Sequence, residues 1–278
     1  MRGKYEDVMG DGAGGDGRRR WLRTALTVPY FWLLLFFLAP FAIIVKISLA
    51  DPLVALPPFT PLFDWAQAGW EQVYVTLDNY LFLFQDRYYA VIYLSSIKLA
   101  AISTLLCLLL GYPMAYFIAR QPPRRRNLLL LGIILPFWIS FLLRVYAWIG
   151  LLNTNGVINN FLQWLGLIDQ PLPLIYNDFA VYLGIVYSYL PFMILPLSLP
   201  GAVAGCLLVF IPAVGEFVIP ELLGSSGTLM IGKVLWTEFF NNRDWPLASA
   251  LAVAILALIV APLAWLEHTR LKRAEAGR

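Results

Sequence analysis

Long uncharged runs separated by short charged ones make up most of this chain. Apolar stretches cover Val28 to Leu49, Val91 to Ala119, Leu128 to Leu152, Ala180 to Leu197, Leu199 to Leu223 and Leu247 to Leu266. Each approaches or exceeds the roughly 20 apolar residues with which a helix crosses a bilayer core. The pattern predicts an all-α polytopic membrane protein. Between Asp178 and Glu216, 37 consecutive residues carry no charged side chain. Either one overlong span lies there, or two spans meet at a turn with almost no loop between them.

Charge placement decides between these. Of twenty Lys and Arg, six lie before Thr27, four at Arg120, Arg124, Arg125 and Arg126, and four from Arg270 onward. Basic segments mark the cytoplasmic side, so both termini and the Arg120–Arg126 loop are expected inside. The number of crossings on either side of that loop is then even. The uncharged run must therefore cross twice, with Ser198-Leu199-Pro200-Gly201 as its turn-like punctuation. Six transmembrane helices result. Val28–Leu49 is too long for a signal-peptide core and lacks an A-x-A-like exit, so it reads as an uncleaved first span.

Composition agrees: 60% hydrophobic, 15% aromatic and 13% charged, against about 25% charged in soluble domains. The basic residues cluster beside apolar runs as topology signals, which argues against a nucleic-acid partner. Cys107 and Cys206 lie inside apolar runs and indicate neither a disulfide framework nor a metal site. The segment 51–90 is acidic and faces outside, and Asn159–Leu167 is expected as a short interfacial helix held by Trp164.

A single histidine, His268, leaves no H-E-x-x-H motif, no Cys/His cluster and no Ser-His-Asp set. No phosphate-binding Gly-rich loop is present, so nucleotide energy must come from another chain. The chain is expected not to be an enzyme and to hold no cofactor or metal.

What remains are ionisable residues at membrane depth, which are costly and therefore functional candidates. Lys46 and Lys98 are placed to snorkel. Arg144 and Glu216, counted along helices from Leu128 and Leu199, share a depth of about 25 Å from the cytoplasmic boundary. They form either a pair that neutralises both or a carboxylate free to meet an amine substrate. The run Ile211 to Glu221 holds Pro212, Gly215 and Pro220 and cannot be one regular helix. Trp138, Tyr146, Trp148, Tyr187 and Tyr189 supply aromatic faces for alkylammonium groups. The candidate substrate path is Glu216, Arg144, Trp138, Tyr146, Tyr187 and Glu221.

"LGYPMAYFIAR" (Leu110–Arg120), "LPFWISFLLRVYAWIGLL" (Leu135–Leu152), "GVINNFLQWLGLI" (Gly156–Ile168), "VFIPAVGEFVIPELLG" (Val209–Gly224) and "NNRDWPLASA" (Asn241–Ala250) closely resemble the polyamine-type permease subunits of type I, MetI-like, ATP-binding-cassette (ABC) importers. The resemblance covers roughly Pro29 to Leu266. It implies a second permease subunit completing the path, cytoplasmic ATPase subunits, a periplasmic polyamine-binding protein and the bacterial cytoplasmic membrane. Putrescine is the first expected substrate, and spermidine or another organic cation the alternative. On this reading residues 1–27 are a disordered cytoplasmic tail, 28–266 the permease domain and 267–278 a cytoplasmic tail.

One departure is large. The family carries, between spans four and five, a cytoplasmic loop with a Glu-Ala-Ala then Gly motif that docks on the ATPase. Here Leu195-Pro196-Leu197 passes straight to Ser198-Leu199-Pro200-Gly201. Impaired coupling is the expectation. A stand-alone secondary transporter is a rival class, but inverted repeats and several mid-membrane charges would favour it, and neither is evident.

Overall fold

The computed structural model describes residues 27–61, 75–194 and 199–276, and within these every regular element is helical. Helix α1 (Thr27–Ser48) includes a π-helical stretch at Leu34–Leu38. Its residues from Val28 to Leu38 are exposed on every face, as suits a helix surrounded by lipid. It packs along α11 (Trp245–Ala276).

A short helix, α2 (Asp78–Gln85), leads into α3 (Arg87–Ala119). Asp86 caps α3 by accepting the Tyr88 N–H at 2.8 Å, which satisfies one orphan donor of the first turn. At 33 residues, α3 is about 50 Å long, more than the hydrocarbon core requires. It is the central post, with α7 (Asp178–Ile194) and α8 (Leu199–Val214) against it. Gly111 makes that contact possible, since a Cβ there would lie 2.9 Å from Met193 Cγ.

The third expected span, Leu128–Leu152, is not one helix. Helix α4 (Pro123–Ile134) tightens into a 3₁₀ turn at Leu135–Trp138, and the chain is extended at Ile139 before α5 (Phe141–Leu152) begins. Pro136 accounts for the interruption, because it removes a backbone donor and crowds the preceding turn. The expected short helix appears as α6 (Val157–Trp164). It is pinned by the fully buried Asn159, whose amide donates to the carbonyls of Thr154 and Leu172 and accepts the Leu172 N–H.

The fifth expected span also breaks. Helix α8 ends at Val214, Gly215–Phe217 is non-helical, and α9 (Val218–Leu223) follows. Helix α10 (Ile231–Trp236) runs into a π turn at Thr237–Asn241. Helix α11 continues to Ala276, so the region expected as a C-terminal tail is helical almost to the end.

Among the described residues, three stretches are long and apolar enough to cross a membrane: Thr27–Ser48, Arg87–Ala119 and Phe141–Trp164. Asp178–Ile194, Gly201–Val214 and Trp245–Ala261 are shorter apolar helices.

The expected turn at Ser198–Gly201 needs correction. Leu199, Pro200 and Gly201 already form the first turn of α8, while Ser198 lies outside the described residues. Past the break, α9 packs on α7: a Cβ on Gly184 would stand 2.8 Å from Ile219 Cγ2 and from Leu223 Cδ1.

Candidate functional site

Glu216 sits in the break between α8 and α9. Pro212 removes a backbone donor from the last turn of α8, and the chain leaves the helix at Gly215. Helix α10 lies hard against this break. A Cβ on Gly232 would meet the Gly215 carbonyl oxygen and stand 2.8 Å from that of Glu216, so only glycine allows the approach. The Glu216 side chain is 9% exposed. One carboxylate oxygen accepts the Tyr189 hydroxyl at 2.6 Å and the other accepts the Val218 N–H at 3.2 Å. Both donors are neutral, and among the described residues no cation stands within ion-pair distance of the carboxylate. The second bond also caps α9. A buried carboxylate held in place without being neutralised is an acceptor for an incoming cation.

The expected pairing with Arg144 does not occur. Tyr187, Leu190, Pro191 and Ile194 follow i, i+3, i+4, i+7 spacing, and that face of α7 lines a cavity with Arg144. Tyr189, two residues from Tyr187, points about 200° around the helix, toward Glu216. Helix α7 therefore separates the two charges. The depth count fails too, because the chain from Leu128 to Arg144 is not one helix and Arg144 reaches a cavity near Met114 and Ile194, at the basic-loop ends of α3 and α7. Arg144 instead lies over Phe137, 4.8 Å from the ring centroid, and beside Phe141 at 5.7 Å.

The other expected residues scatter. Tyr187 shares the Arg144 cavity and packs edge-on to Trp148 at 5.3 Å. Trp138 and Tyr146 are exposed on the outside of the chain. Glu221 is exposed and pairs with Lys233 at 3.3 Å.

Two features escaped the sequence. Tyr189 was expected as a ring to stack on a cation, yet its hydroxyl is what holds Glu216. Beside Glu216 starts a succession of aromatic rings. Phe217 stacks on Trp236 at 4.6 Å, and Trp236 meets Phe240 at a tilt, 4.0 Å between centroids. Phe240 meets Phe239 at 4.9 Å, and Phe239 stacks on Trp245 at 5.0 Å, which reaches Phe59 at 6.1 Å. The i, i+4 spacing of Trp236 and Phe240 was a local signal for part of it; the π turn that aligns the rest was not readable.

No family model matches the chain. It is 39% identical over 221 residues to the spermidine/putrescine transport system permease protein PotB of Salmonella typhimurium (strain SL1344), covering 68% of this chain and 77% of the relative. Its identity to PotB of Escherichia coli (strain K12) is 38%, with 80% of that relative covered. The inner membrane ABC transporter permease protein YdcU of Escherichia coli is 28% identical over 241 residues, covering 70% of this chain and 76% of that one. In the first alignment 68% of 278 residues, about 189, face 221 positions, so about 32 positions of the relative have no counterpart here. A crystal structure of a bacterial ABC transporter that imports alginate superposes with a TM-score of 0.61 at 16% identity, covering 92% of this chain and 97% of that one. The fold is thus that of a transporter permease, and the chain belongs to the spermidine/putrescine permease family of ABC transporters, as a multi-pass membrane subunit and not an enzyme.

Proposed function

We propose that this chain, with a second permease subunit, forms a path for polyamines across the bacterial cytoplasmic membrane, with putrescine the first substrate to test and spermidine the next. A periplasmic binding protein delivers the substrate, and cytoplasmic ATPase subunits drive it inward. Both termini face the cytoplasm. The observation that carries this reading is the Glu216 carboxylate, buried at a helix break and held by two neutral donors, in a chain 39% identical to a spermidine/putrescine permease. The exposed rings of Trp236 and Phe240 offer an alkylammonium group cation–π contacts on its way to that carboxylate.

A second element of the proposal is weak coupling. About 32 positions of the relatives are missing here, and an uncharged run links α7 to α8, where the resemblance places the ATPase-docking loop. The test co-expresses the chain with partner permease, ATPase and binding protein, as it stands and with a relative's loop inserted after Leu197. Pull-down of the ATPase and putrescine uptake are expected only with the insertion. In that active form Glu216→Gln should cut uptake by about tenfold, the factor of one lost charge-assisted hydrogen bond, with assembly unchanged. Full uptake by Glu216→Gln would remove the substrate role, and uptake without the insertion would remove the coupling defect.

A further inference from the structure

The cavity that Arg144 enters is separate from the Glu216 site and lies on the opposite face of α7. Its volume is about 120 Å3, below the roughly 300 Å3 at which pockets start to hold whole drug-sized ligands. Its walls are apolar, with Met114 from α3, Ile133 from α4 and Ile194 from α7 around the guanidinium. The Nε and Nη1 atoms of Arg144 are buried and have no hydrogen-bond partner. Phe137 and Phe141 contact the charge, but a ring face accepts an N–H only weakly. Leaving charged donors buried and unpaired is strongly destabilising, so the site calls for a small anionic acceptor.

Position identifies it. Met114 is six residues from Arg120 and Ile133 seven from Arg126, about 10 Å along their helices. The cavity therefore sits just inward of the four arginines at 120 and 124–126. Basic pockets between spans on that side of a membrane take the headgroups of anionic lipids. Leu131, Ile134 and Leu135, exposed beside the cavity, give an acyl chain an apolar surface to follow.

We propose that Arg144 binds the phosphate of one anionic phospholipid, whose headgroup the basic loop attracts and whose chains lie along α4. The guanidinium presents Nε and a terminal nitrogen as a fork, the geometry that pairs with two phosphate oxygens. This does not rest on the transported substrate.

Native mass spectrometry of the purified full chain, with phosphatidylglycerol or phosphatidylcholine added in detergent, tests the inference. Wild type should retain one phosphatidylglycerol through activation that strips phosphatidylcholine. Arg144→Gln should retain about tenfold less. Ile133→Phe narrows the cavity without touching the arginine and should also weaken retention, which keeps the test valid if Arg144→Gln folds poorly. Equal retention of the two lipids, or undiminished phosphatidylglycerol in Ile133→Phe, would overturn the proposal. Displacement of the lipid by inorganic phosphate at low concentration would assign the site to small anions instead.

Discussion

Gly232→Ala tests how closely α10 must approach the break that carries Glu216. The added Cβ would stand 2.8 Å from the Glu216 carbonyl oxygen and nearer still to that of Gly215. Both obstacles are backbone, so no side chain can swing away. Restoring ordinary contact at 3.4 Å requires α10 to withdraw by about 0.6 Å at least. Overpacking of this kind costs about 1–3 kcal/mol, while Ala in place of helical Gly returns up to roughly 1 kcal/mol. The net expectation is a loss of about 1–2 kcal/mol. The withdrawal also pulls on the Ile231 N–H to Ser96 bond of 2.7 Å and on the Phe217–Trp236 stack. Gly150→Ala in α5 is the control, since nothing lies within 4 Å of its new Cβ; it should be neutral or slightly stabilising. Thermal midpoints of the purified chain by size-exclusion chromatography, with putrescine uptake measured in the form carrying the inserted loop, read both effects. A Gly232→Ala variant as stable as Gly150→Ala, with uptake equal to that of its loop-bearing parent, would refute the claim that this contact sets the carboxylate.

Three further outcomes follow from single contacts. Tyr189→Phe deletes the 2.6 Å donor to Glu216 and should cost about 1.5–3 kcal/mol, as for hydrogen bonds to charged groups; the loss should shrink in a Glu216→Gln background when midpoints are compared as a double-mutant cycle. Asn159→Leu strands the Leu172 N–H and several carbonyls and should lower stability by roughly 2–4 kcal/mol at about 1 kcal/mol per bond, visible as increased proteolysis of the α5–α6 connection. Glu221→Gln breaks a half-exposed ion pair with Lys233 worth about 0–1 kcal/mol, so the thermal midpoint and putrescine uptake of the loop-bearing form should hardly change, and a large loss of uptake would show that Glu221 contacts substrate directly.

The apolar runs and one helix break were legible in the sequence; depth along an interrupted run and azimuth were not. The runs located the helices, and Pro212, Gly215 and Pro220 announced the break that α8 and α9 show. Counting residues also suggested that Arg144 and Glu216 would meet. Rotation about α7 overrode it, because Tyr187 and Tyr189 face opposite ways and each brings one charge to its own side. An i, i+2 pair carries that information only when the neighbours of each face are known. The interruption of the third span at Pro136 to Ser140 had a local cause in Pro136, but the apolar residues around it hid the change of helix type. The aromatic succession from Phe217 to Phe59 joins four separate segments, and no local pattern encodes contacts across them.

The contact of α9 with α7 shows what the break at Gly215–Phe217 does for packing. Gly184 faces Ile219 and Leu223, four residues apart on one face of α9, and a Cβ on Gly184 would stand 2.8 Å from Ile219 Cγ2 and from Leu223 Cδ1. Both neighbours are fully buried, so neither side chain can swing into open space. Gly184→Ala should therefore cost about 1–3 kcal/mol by overpacking, offset by up to roughly 1 kcal/mol for replacing a helical glycine. In a Leu223→Ala background one of the two obstacles is gone, and the loss should shrink when thermal midpoints are compared as a double-mutant cycle. A Gly184→Ala variant as stable as wild type in both backgrounds would mean that α9 does not pack on α7 this closely.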